Sequence, residues 1–224
     1  MSRGYFVTGT DTGVGKTLVS SAMLLKLSGQ GKTVVGMKPV ASGCVSTQEG
    51  LRNEDAQSLM ACSGVSVDYA LVNPYAFEPA IAPHLAARQA GVTISQNTIM
   101  AAYDQLCLQA DTLIVEGVGG WQVPLTESET MEDLAKQINL PVIMVVGIRL
   151  GCINHALLTY QAIQRSGLTC CAWVANQVED DMPFVKENIT SIQARLDIPC
   201  WGVIPWLDKV DVTAIAANLE LPSI

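Results

Sequence analysis

The stretch Gly9-Thr10-Asp11-Thr12-Gly13-Val14-Gly15-Lys16-Thr17 decides the fold of this chain. The apolar run at residues 5–7 before it predicts a first β-strand, and residues 18–26 after it predict a helix. A glycine-rich turn between a strand and a helix, with Gly-Lys-Thr at the helix start, is typical of a phosphate-binding loop. Its glycines let backbone N–H groups converge on phosphate oxygens, and the helix N-terminus adds partial positive charge. The spacing departs from the usual pattern, because five residues rather than four separate Gly9 from Gly15.

This loop predicts a first set of nucleotide contacts. Lys16 is expected to reach the β- and γ-phosphates, and Thr17 is expected to hold Mg²⁺. The residues of the loop and helix start that are expected to contact the nucleotide are Gly13, Val14, Gly15, Lys16, Thr17 and Leu18.

Composition argues against several classes of protein. Among 224 residues, 13 basic and 21 acidic side chains give a net charge of −8, and without a Lys/Arg cluster the chain is not expected to bind nucleic acid. No apolar run approaches the ~18–20 residues that span a bilayer, so no contact with a membrane is expected. The N-terminus shows no signal-peptide pattern. Seven cysteines, none in Cys-x-x-Cys spacing, favour a reducing cytoplasmic location over a disulfide framework or a zinc site.

Strands and helices alternate along the chain. The predicted strands are Tyr5–Thr8, Thr33–Met37, Thr112–Glu116, Val142–Gly147, Ala172–Ala175 and Trp201–Ile204. Helical spacing of apolar residues occurs in Ser95–Ala110 and Cys152–Gln164, and Thr130 with Asp133 resembles a capping box. This alternation predicts an α/β fold, a P-loop NTPase-like doubly wound parallel sheet with helices on both faces. With no repeat or linker, residues 1–224 are expected to form a single P-loop ATP-binding domain.

Ligands of such sheets bind outside the carboxyl ends of the strands, so residues that follow strands are site candidates. Glu116 ends a strand where a carboxylate can face a Mg²⁺; alternatively, it is a solvated strand-end residue. Lys38 follows the second strand and is either a second cation beside the phosphates or an ordinary surface lysine. Asp55 is either a further Mg²⁺ ligand or a carboxylate at a helix start.

Two loop segments and the two histidines complete the list of candidates. The glycine-rich residues Gly117, Val118 and Gly119 are expected to let backbone approach the nucleotide closely. The Ser-, Gly- and Thr-rich region 41–52 is expected to be a loop that belongs to the site. His84 and His155 have no metal-ligand spacing and are expected to be structural.

Nine segments spread over nearly the whole chain resemble the dethiobiotin synthetase family. They are Gly9–Thr17, Lys38–Gly43, Gly50–Asp55, Asn73–Tyr75, Pro83–His84, Val115–Gly117, Leu150–Ala156, Trp173–Asn176 and Ile204–Leu207. The loop variant with five intervening residues belongs to that family and to a few related ATP-dependent amidoligases. Combined with Lys-Pro-Val-Ala-Ser-Gly and Leu-Gly-Cys-Ile-Asn-His-Ala, it is highly specific for the family.

The resemblance implies an ATP-dependent cyclo-ligase of biotin biosynthesis that converts 7,8-diaminononanoate and CO₂ into dethiobiotin. One amine takes up CO₂ as a carbamate, and the carbamate oxygen attacks the γ-phosphate of ATP to give a carbamic–phosphoric anhydride. The second amine then closes the cyclic urea and expels phosphate. The reaction has no covalent enzyme intermediate.

The same resemblance implies roles for individual residues. Lys38 would bind the carbamate and Lys16 the phosphates, because the site must bring two anions together. The implied Mg²⁺ ligands are Thr17, Asp55 and Glu116, and Ser42 would contact the diamine. The implied nucleotide contacts are Asn176, Pro205, Trp206 and Leu207 around adenine and Asp211 at the ribose.

A homodimer with shared active sites is also implied. The substrate carboxylate would be held, across the interface from a second subunit, by the segment that contains Leu150, Gly151, Cys152 and Asn154. Gly151-Cys152 opens a predicted helix, and a helix N-terminus can bind an anion. The alternative is that this segment only starts a core helix.

Alternatives from other classes remain. Gly13 stands where many members of the family carry an acidic residue. The chain could therefore be a low-activity paralogue with an altered substrate, and the sequence does not decide whether it uses ATP or CTP. A partition-type P-loop ATPase switch usually carries a second lysine early in the loop, where this chain has Asp11. An amidoligase of the cobyrinate type would need a glutaminase domain, for which 224 residues leave no room.

Overall fold

The computed structural model describes residues 4–222, so both ends of the predicted 1–224 domain lie outside the described residues. The strands are β1 Gly4–Gly9, β2 Val34–Met37, β3 Val40–Ser42, β4 Val45–Thr47, β5 Gly50–Arg52, β6 Tyr75–Phe77, β7 Thr112–Glu116, β8 Val142–Ile148, β9 Cys170–Gln177 and β10 Cys200–Ile204. The helices are α1 Lys16–Gly29, α2 Glu54–Cys62, α3 Tyr69–Val72, α4 Pro83–Gln89, α5 Gln96–Cys107, α6 Met131–Ile138, α7 Cys152–Arg165, α8 Val185–Gln193 and α9 Val212–Asn218.

Six parallel strands form the central sheet in the order β10-β9-β8-β1-β7-β2. From β1 the chain builds one side of the sheet with β2 and β7, and then the other side with β8, β9 and β10. The carboxyl end of β1 therefore lies at the point where the winding direction reverses, which is where ligands bind in open α/β sheets. The glycine-rich loop follows β1 at that point.

The core lies on both faces of this sheet. Successive residues of a strand point to opposite faces, so Phe6 and Met144 pack in one apolar cluster while Val7 and Val145 pack in the other. The first cluster is covered by α5, α6, α7 and α8, and the second by α1, α2 and α9. All seven residues of β8 are buried, as expected for a parallel strand covered on both sides. The predicted fold class is confirmed.

The six predicted strands correspond to the six strands of the central sheet, but the region 41–52 is not the simple loop that was expected. It contains part of β3, which pairs with β6, and the antiparallel pair of β4 and β5. Each of these strands has three residues, too few to show a hydrophobic period. Within residues 4–222, no helix is long and apolar enough to cross a membrane.

The predicted capping box is present at the start of α6. The backbone N–H and the hydroxyl of Thr130 both donate to Asp133 Oδ2, at 2.9 Å each. The N–H of Thr130 is the largest influence that holds the pKa of Asp133 below its ordinary value. A carboxylate with a lowered pKa in the folded state stabilises the fold above its unfolded-state pKa and loses that effect as the pH falls.

We expect Asp133→Ala to lower the free energy of unfolding by about 1 kcal/mol at neutral pH, because both Thr130 donors lose their acceptor. This loss should shrink below about pH 4, where the carboxyl of the wild-type protein takes up a proton. Urea unfolding at neutral and acid pH measures both effects. Glu132→Ala is the matched control, since it removes a carboxylate of the same turn that pairs with Lys136 at 3.1 Å. Equal losses for the two variants would contradict the assignment.

Candidate active site

The loop between β1 and α1 has the glycines that its backbone requires. Gly13 and Gly15 have φ of 73° and 92°, in the left-handed region that favours glycine. A Cβ on Gly15 would lie 2.2 Å from Nδ2 of Asn176, so this position has no room for a side chain. The glycine pattern therefore follows from backbone geometry and from close packing against β9.

Three contacts hold the loop, and they come from β8, from the residue that follows it and from β9. Asn176 Nδ2 donates to the carbonyl of Val14 at 3.0 Å, and the N–H of Thr10 donates to the carbonyl of Val145 at 3.0 Å. Arg149 Nη2 donates to Asp11 Oδ2 at 2.5 Å. Sequence reasoning gave Arg149 no role, although it directly follows β8 at the ligand-binding edge, where the strand-end rule points to site residues.

Lys16 and Lys38 are both buried, with only 6% and 3% of their surface exposed. Lys16 Nζ donates to the carbonyl of Asp11 at 2.9 Å. Burial, and then the charge of Lys38, lower the pKa of Lys16 to about 8. Lys38 is therefore a buried cation, and the alternative of an ordinary surface lysine is wrong.

Two carboxylates surround the ammonium of Lys38. Its Nζ lies 2.5 Å from Glu116 Oε1 and 2.9 Å from Asp55 Oδ2, and it also donates to the carbonyl of Gly117 at 3.3 Å. Burial alone would lower the pKa of Lys38, but the charges of Glu116 and Asp55 raise it above its ordinary value. Burial likewise acts to raise the pKa of Asp55, and Lys38 outweighs this and lowers it. These two shifts hold Lys38 and Asp55 in their charged forms near neutral pH.

Glu116 is fully buried, so the interpretation of a solvated strand-end residue is wrong. Its Oε1 accepts from the hydroxyl of Thr17 at 2.9 Å. Its Oε2 is buried and has no hydrogen-bond partner among the residues that the structure describes. Asp55 lies in the first turn of α2, as its helix-start alternative predicted, and it also contacts Lys38. Its role as a Mg²⁺ ligand stays a prediction.

Thr17, Asp55 and Glu116 offer only oxygen ligands, which suit Mg²⁺. The unpartnered Oε2 of Glu116 is an atom that a cation would satisfy. Between positions 4 and 222, no group of three or more His, Cys, Asp or Glu side chains is arranged to hold a metal ion. These residues fit Mg²⁺ in the way that nucleotide sites usually do, with one or two carboxylates while the phosphates supply further oxygens.

A cavity of about 790 Å³ opens beside these groups. The charged side of its wall is formed by Lys16, Lys38 and Asp55, and Ser42 also contributes to the wall. The hydroxyl oxygen of Ser42 is buried and has no partner in the described part of the chain. Other lining residues are Thr12, Gly13, Gly15, Thr17, Leu18, Ala41, Asn53, Ala80, Ile81, Ala82, Pro83, Val118, Gly119 and Val123. One part of the wall is therefore polar and cationic, and another is apolar.

A second cavity of about 210 Å³ adjoins the first, and Gly13 and Leu18 line both. Its other lining residues include the predicted adenine contacts Asn176, Pro205, Trp206 and Leu207. The structure thus brings the loop and the predicted adenine contacts to one continuous surface.

The remaining predicted residues lie elsewhere. Asp211 is the N-cap of α9, where its Oδ1 accepts from the N–H groups of Thr213 and Ala214, and it lines neither cavity. The segment from Leu150 to Asn154 also lines neither cavity, and Leu150 is 92% exposed.

Solved structures with this fold include a MinC:MinD cell division protein complex from Aquifex aeolicus, with a TM-score of 0.57 and 16% identity over 96% of this chain and 86% of that one. Cell division protein FtsY from Thermotoga maritima matches with a TM-score of 0.54 and 14% identity over 99% of this chain and 69% of that one. A family model described as an AAA domain matches residues 3–214. Fold and site together define a P-loop nucleotide-binding protein.

Relatives of known family show which family of P-loop proteins the chain belongs to. ATP-dependent dethiobiotin synthetase BioD of Xanthomonas oryzae pv. oryzae (strain PXO99A) is 51% identical over 218 residues, which cover 97% of both chains. The protein of that name from Cellvibrio japonicus is 48% identical over 219 residues, covering 98% of this chain and 96% of that one. The chain belongs to the ATP-dependent dethiobiotin synthetase family. The family resemblance and the ATP-dependent ligase class predicted from the sequence are confirmed, whereas the likeness to MinD shows the fold alone.

Proposed function

We propose that this chain closes the cyclic urea of dethiobiotin from 7,8-diaminononanoate and CO₂ in the 790 Å³ cavity, at the expense of ATP. The observation that carries the proposal is the buried ammonium of Lys38, which lies beside the phosphate-binding loop and opens onto the cavity. The reaction must bring a carbamate into line with the γ-phosphate, and both groups are anionic. A fixed cation between them lowers the barrier because charge builds up there in the transition state.

The two lysines would bind different anions. Lys16 follows the loop that cradles the phosphates, and its place at the start of α1 suits the β- and γ-phosphates. Lys38 lies between Glu116 and Asp55 on the cavity wall and suits the carbamate oxygen that attacks the phosphate. Thr17, Asp55 and Glu116 would hold Mg²⁺, which when bound supplies further positive charge to the phosphates.

The remaining cavity wall fits an elongated diamine. The unpartnered hydroxyl of Ser42 can bond an amine of the substrate. The apolar residues 80–83 can pack along a hydrocarbon chain. The adjoining smaller cavity, with Asn176 and residues 205–207, suits the adenine ring. The position of Asp211 as a helix cap gives its predicted ribose contact no support.

The location of Leu150–Asn154 favours a shared active site in a homodimer. This segment does not line the cavity of its own chain, so it could hold the substrate carboxylate only in another subunit's cavity. Leu150 just before α7, Leu158 in the middle of α7 and Phe184 just before α8 are large apolar side chains that are more than half exposed. Such side chains on neighbouring elements are typical of an interface.

A cytoplasmic location agrees with the cysteines, all seven of which are free thiols. Disulfides are rare in the reducing cytoplasm and common outside it.

The test of the reaction is phosphate release from ATP in the presence of bicarbonate and 7,8-diaminononanoate, with dethiobiotin identified by mass spectrometry. Release should require all three compounds. Lys16→Ala should abolish turnover and weaken ATP binding, because the phosphates lose their nearest cation. Diamine-independent release, or unchanged kinetics of Lys16→Ala, would contradict the proposal. A wild-type rate far below that of a relative with an acid at position 13 would favour the low-activity paralogue.

Lys38→Ala should lower kcat by about 10²–10³-fold and change KM for ATP far less, because Lys38 acts mainly on charge that develops in the transition state. Steady-state kinetics separate the two parameters. Lys26→Ala is the matched control, since the ammonium of Lys26 bonds carbonyls of α9 away from the cavity. A change in KM without a change in kcat would refute the assigned role.

Mixing two inactive variants tests the shared site. Lys38→Ala lacks one half of each site, and Gly151→Val distorts the other half because Gly151 has φ of 92°. After subunit exchange, half of the dimers are mixed and each has one intact site, so about a quarter of the wild-type activity should return. Mixed dimers isolated with two affinity tags provide the check, and no activity in them would rule out sharing.

A further inference from the structure

The backbone of Lys38 is held by a segment outside the central sheet. Lys38 lies just beyond the end of β2, and its N–H donates to the carbonyl of Val72 at 2.8 Å. Its own carbonyl accepts from Asn73 Nδ2 at 2.6 Å, and the same nitrogen donates to the carbonyl of Tyr75 at 3.2 Å. Asn73 is 3% exposed. The backbone of Lys38 is therefore bonded by the last residue of α3 and the residue after it, at the point where β2 ends.

Tyr69 links this segment to the helix that carries Asp55. The Tyr69 hydroxyl donates to Asn73 Oδ1 at 3.0 Å and accepts from the N–H of Asn53 at 2.8 Å. Asn53 is the N-cap of α2, and its Oδ1 accepts from the N–H of Ala56 at 3.2 Å. A ring thus runs through hydrogen bonds from the carbonyl of Lys38 to Asn73, Tyr69 and Asn53, along two residues of the chain to Asp55, and through the ion pair back to Lys38 Nζ.

The hydroxyl at the centre of this ring is suited to hold its neighbours. Burial raises the pKa of Tyr69, so the hydroxyl keeps the proton that it donates. The guanidinium of Arg52 lies 4.2 Å from the centre of the Tyr69 ring and fixes the ring face. Without the hydroxyl, the N–H of Asn53 and Oδ1 of Asn73 would each lose a partner in a buried region, where unpaired polar groups are costly. Tyr69 does not line the cavity.

We propose that Tyr69 is a positioning residue for the ligation reaction, which sets the Lys38 ammonium in place through Asn73 on one side and through Asn53 and Asp55 on the other. This inference rests on the proposed role of Lys38. A reacting group displaced by about 1 Å can lose about a hundredfold in rate, so contacts remote from the substrate can decide kcat.

We expect Tyr69→Phe to lower kcat about tenfold and to leave KM for ATP unchanged, since the phenyl ring stays under Arg52 and the phosphate-binding loop is untouched. Tyr75→Phe is the matched control. The Tyr75 hydroxyl also accepts a backbone N–H, that of Ser95 at 2.9 Å, but no bond leads from this hydroxyl to Lys38. Tyr75→Phe should therefore keep the wild-type kcat.

Kinetics are measured on the full chain well below the thermal midpoint of each variant. A merely structural role predicts that both Phe variants lose stability while neither loses kcat, and that outcome would overturn the proposal. Asn73→Ala is the second variant, and it should reproduce the tenfold fall in kcat even if Tyr69→Phe does not fold. Because Tyr69 and Asn73 act in series, the double variant should have a kcat no lower than that of the slower single variant. Losses of kcat that multiply in the double variant would contradict a connected path through these two residues.

The wild-type protein in the same assay tests the ligation reaction independently of the role of Tyr69. Wild-type protein that releases no phosphate with ATP, bicarbonate and diamine overturns the proposed function and this inference with it. Active wild-type protein with equal kcat for Tyr69→Phe and Tyr75→Phe overturns only the positioning role.

Discussion

The burial of the Lys38 ammonium between Asp55 and Glu116 is the interaction on which the site depends. Taking each charge out of water costs several kcal/mol, and removing one partner of such a group typically costs about 3–5 kcal/mol. Together with Lys16, the four groups carry two positive and two negative charges, so the site is balanced before any ligand enters. In the proposed reaction, ATP and a carbamate would bring excess negative charge, which a bound Mg²⁺ would offset together with the two lysines.

The order of the strands explains how distant residues meet. Lys16 follows β1, Glu116 ends β7 and Lys38 follows β2, and β1, β7 and β2 are neighbours in the sheet. In the register of these strands, Val7 of β1 lies beside Glu116 of β7, and Met37 of β2 lies beside Val115 of β7. The parallel arrangement alone thus places two lysines and a carboxylate at one edge. Asp55 is the exception, because it reaches Lys38 from α2 rather than from a strand.

Residues that follow a strand of the sheet can be predicted from the sequence, whereas residues that reach the site from elsewhere cannot. Continuous apolar runs such as that of β8 have a local signal, and residues after such strands fall at the ligand edge by a general rule. The Tyr69 hydroxyl has no such signal, since its partner Asn53 is 16 residues away, and Asn73 in turn bonds a residue 35 positions away. The short strands β4 and β5 likewise form through their own pairing, without a hydrophobic pattern. The roles of the site residues stay predictions, although the structure gathers most of them around two adjoining cavities.

Two buried oxygens show where the fold leaves polar groups unpaired at this site. Oε2 of Glu116 and the hydroxyl of Ser42 lack hydrogen-bond partners among residues 4–222, although the cost of burying such groups is high. A ring of contacts through Tyr69 meanwhile satisfies the groups behind Lys38. The rear of the site is therefore closed by the protein's own hydrogen bonds, while its front keeps atoms that only a ligand or a cation can satisfy. Such a division favours binding, because a ligand gains contacts at the front without displacing those that hold Lys38.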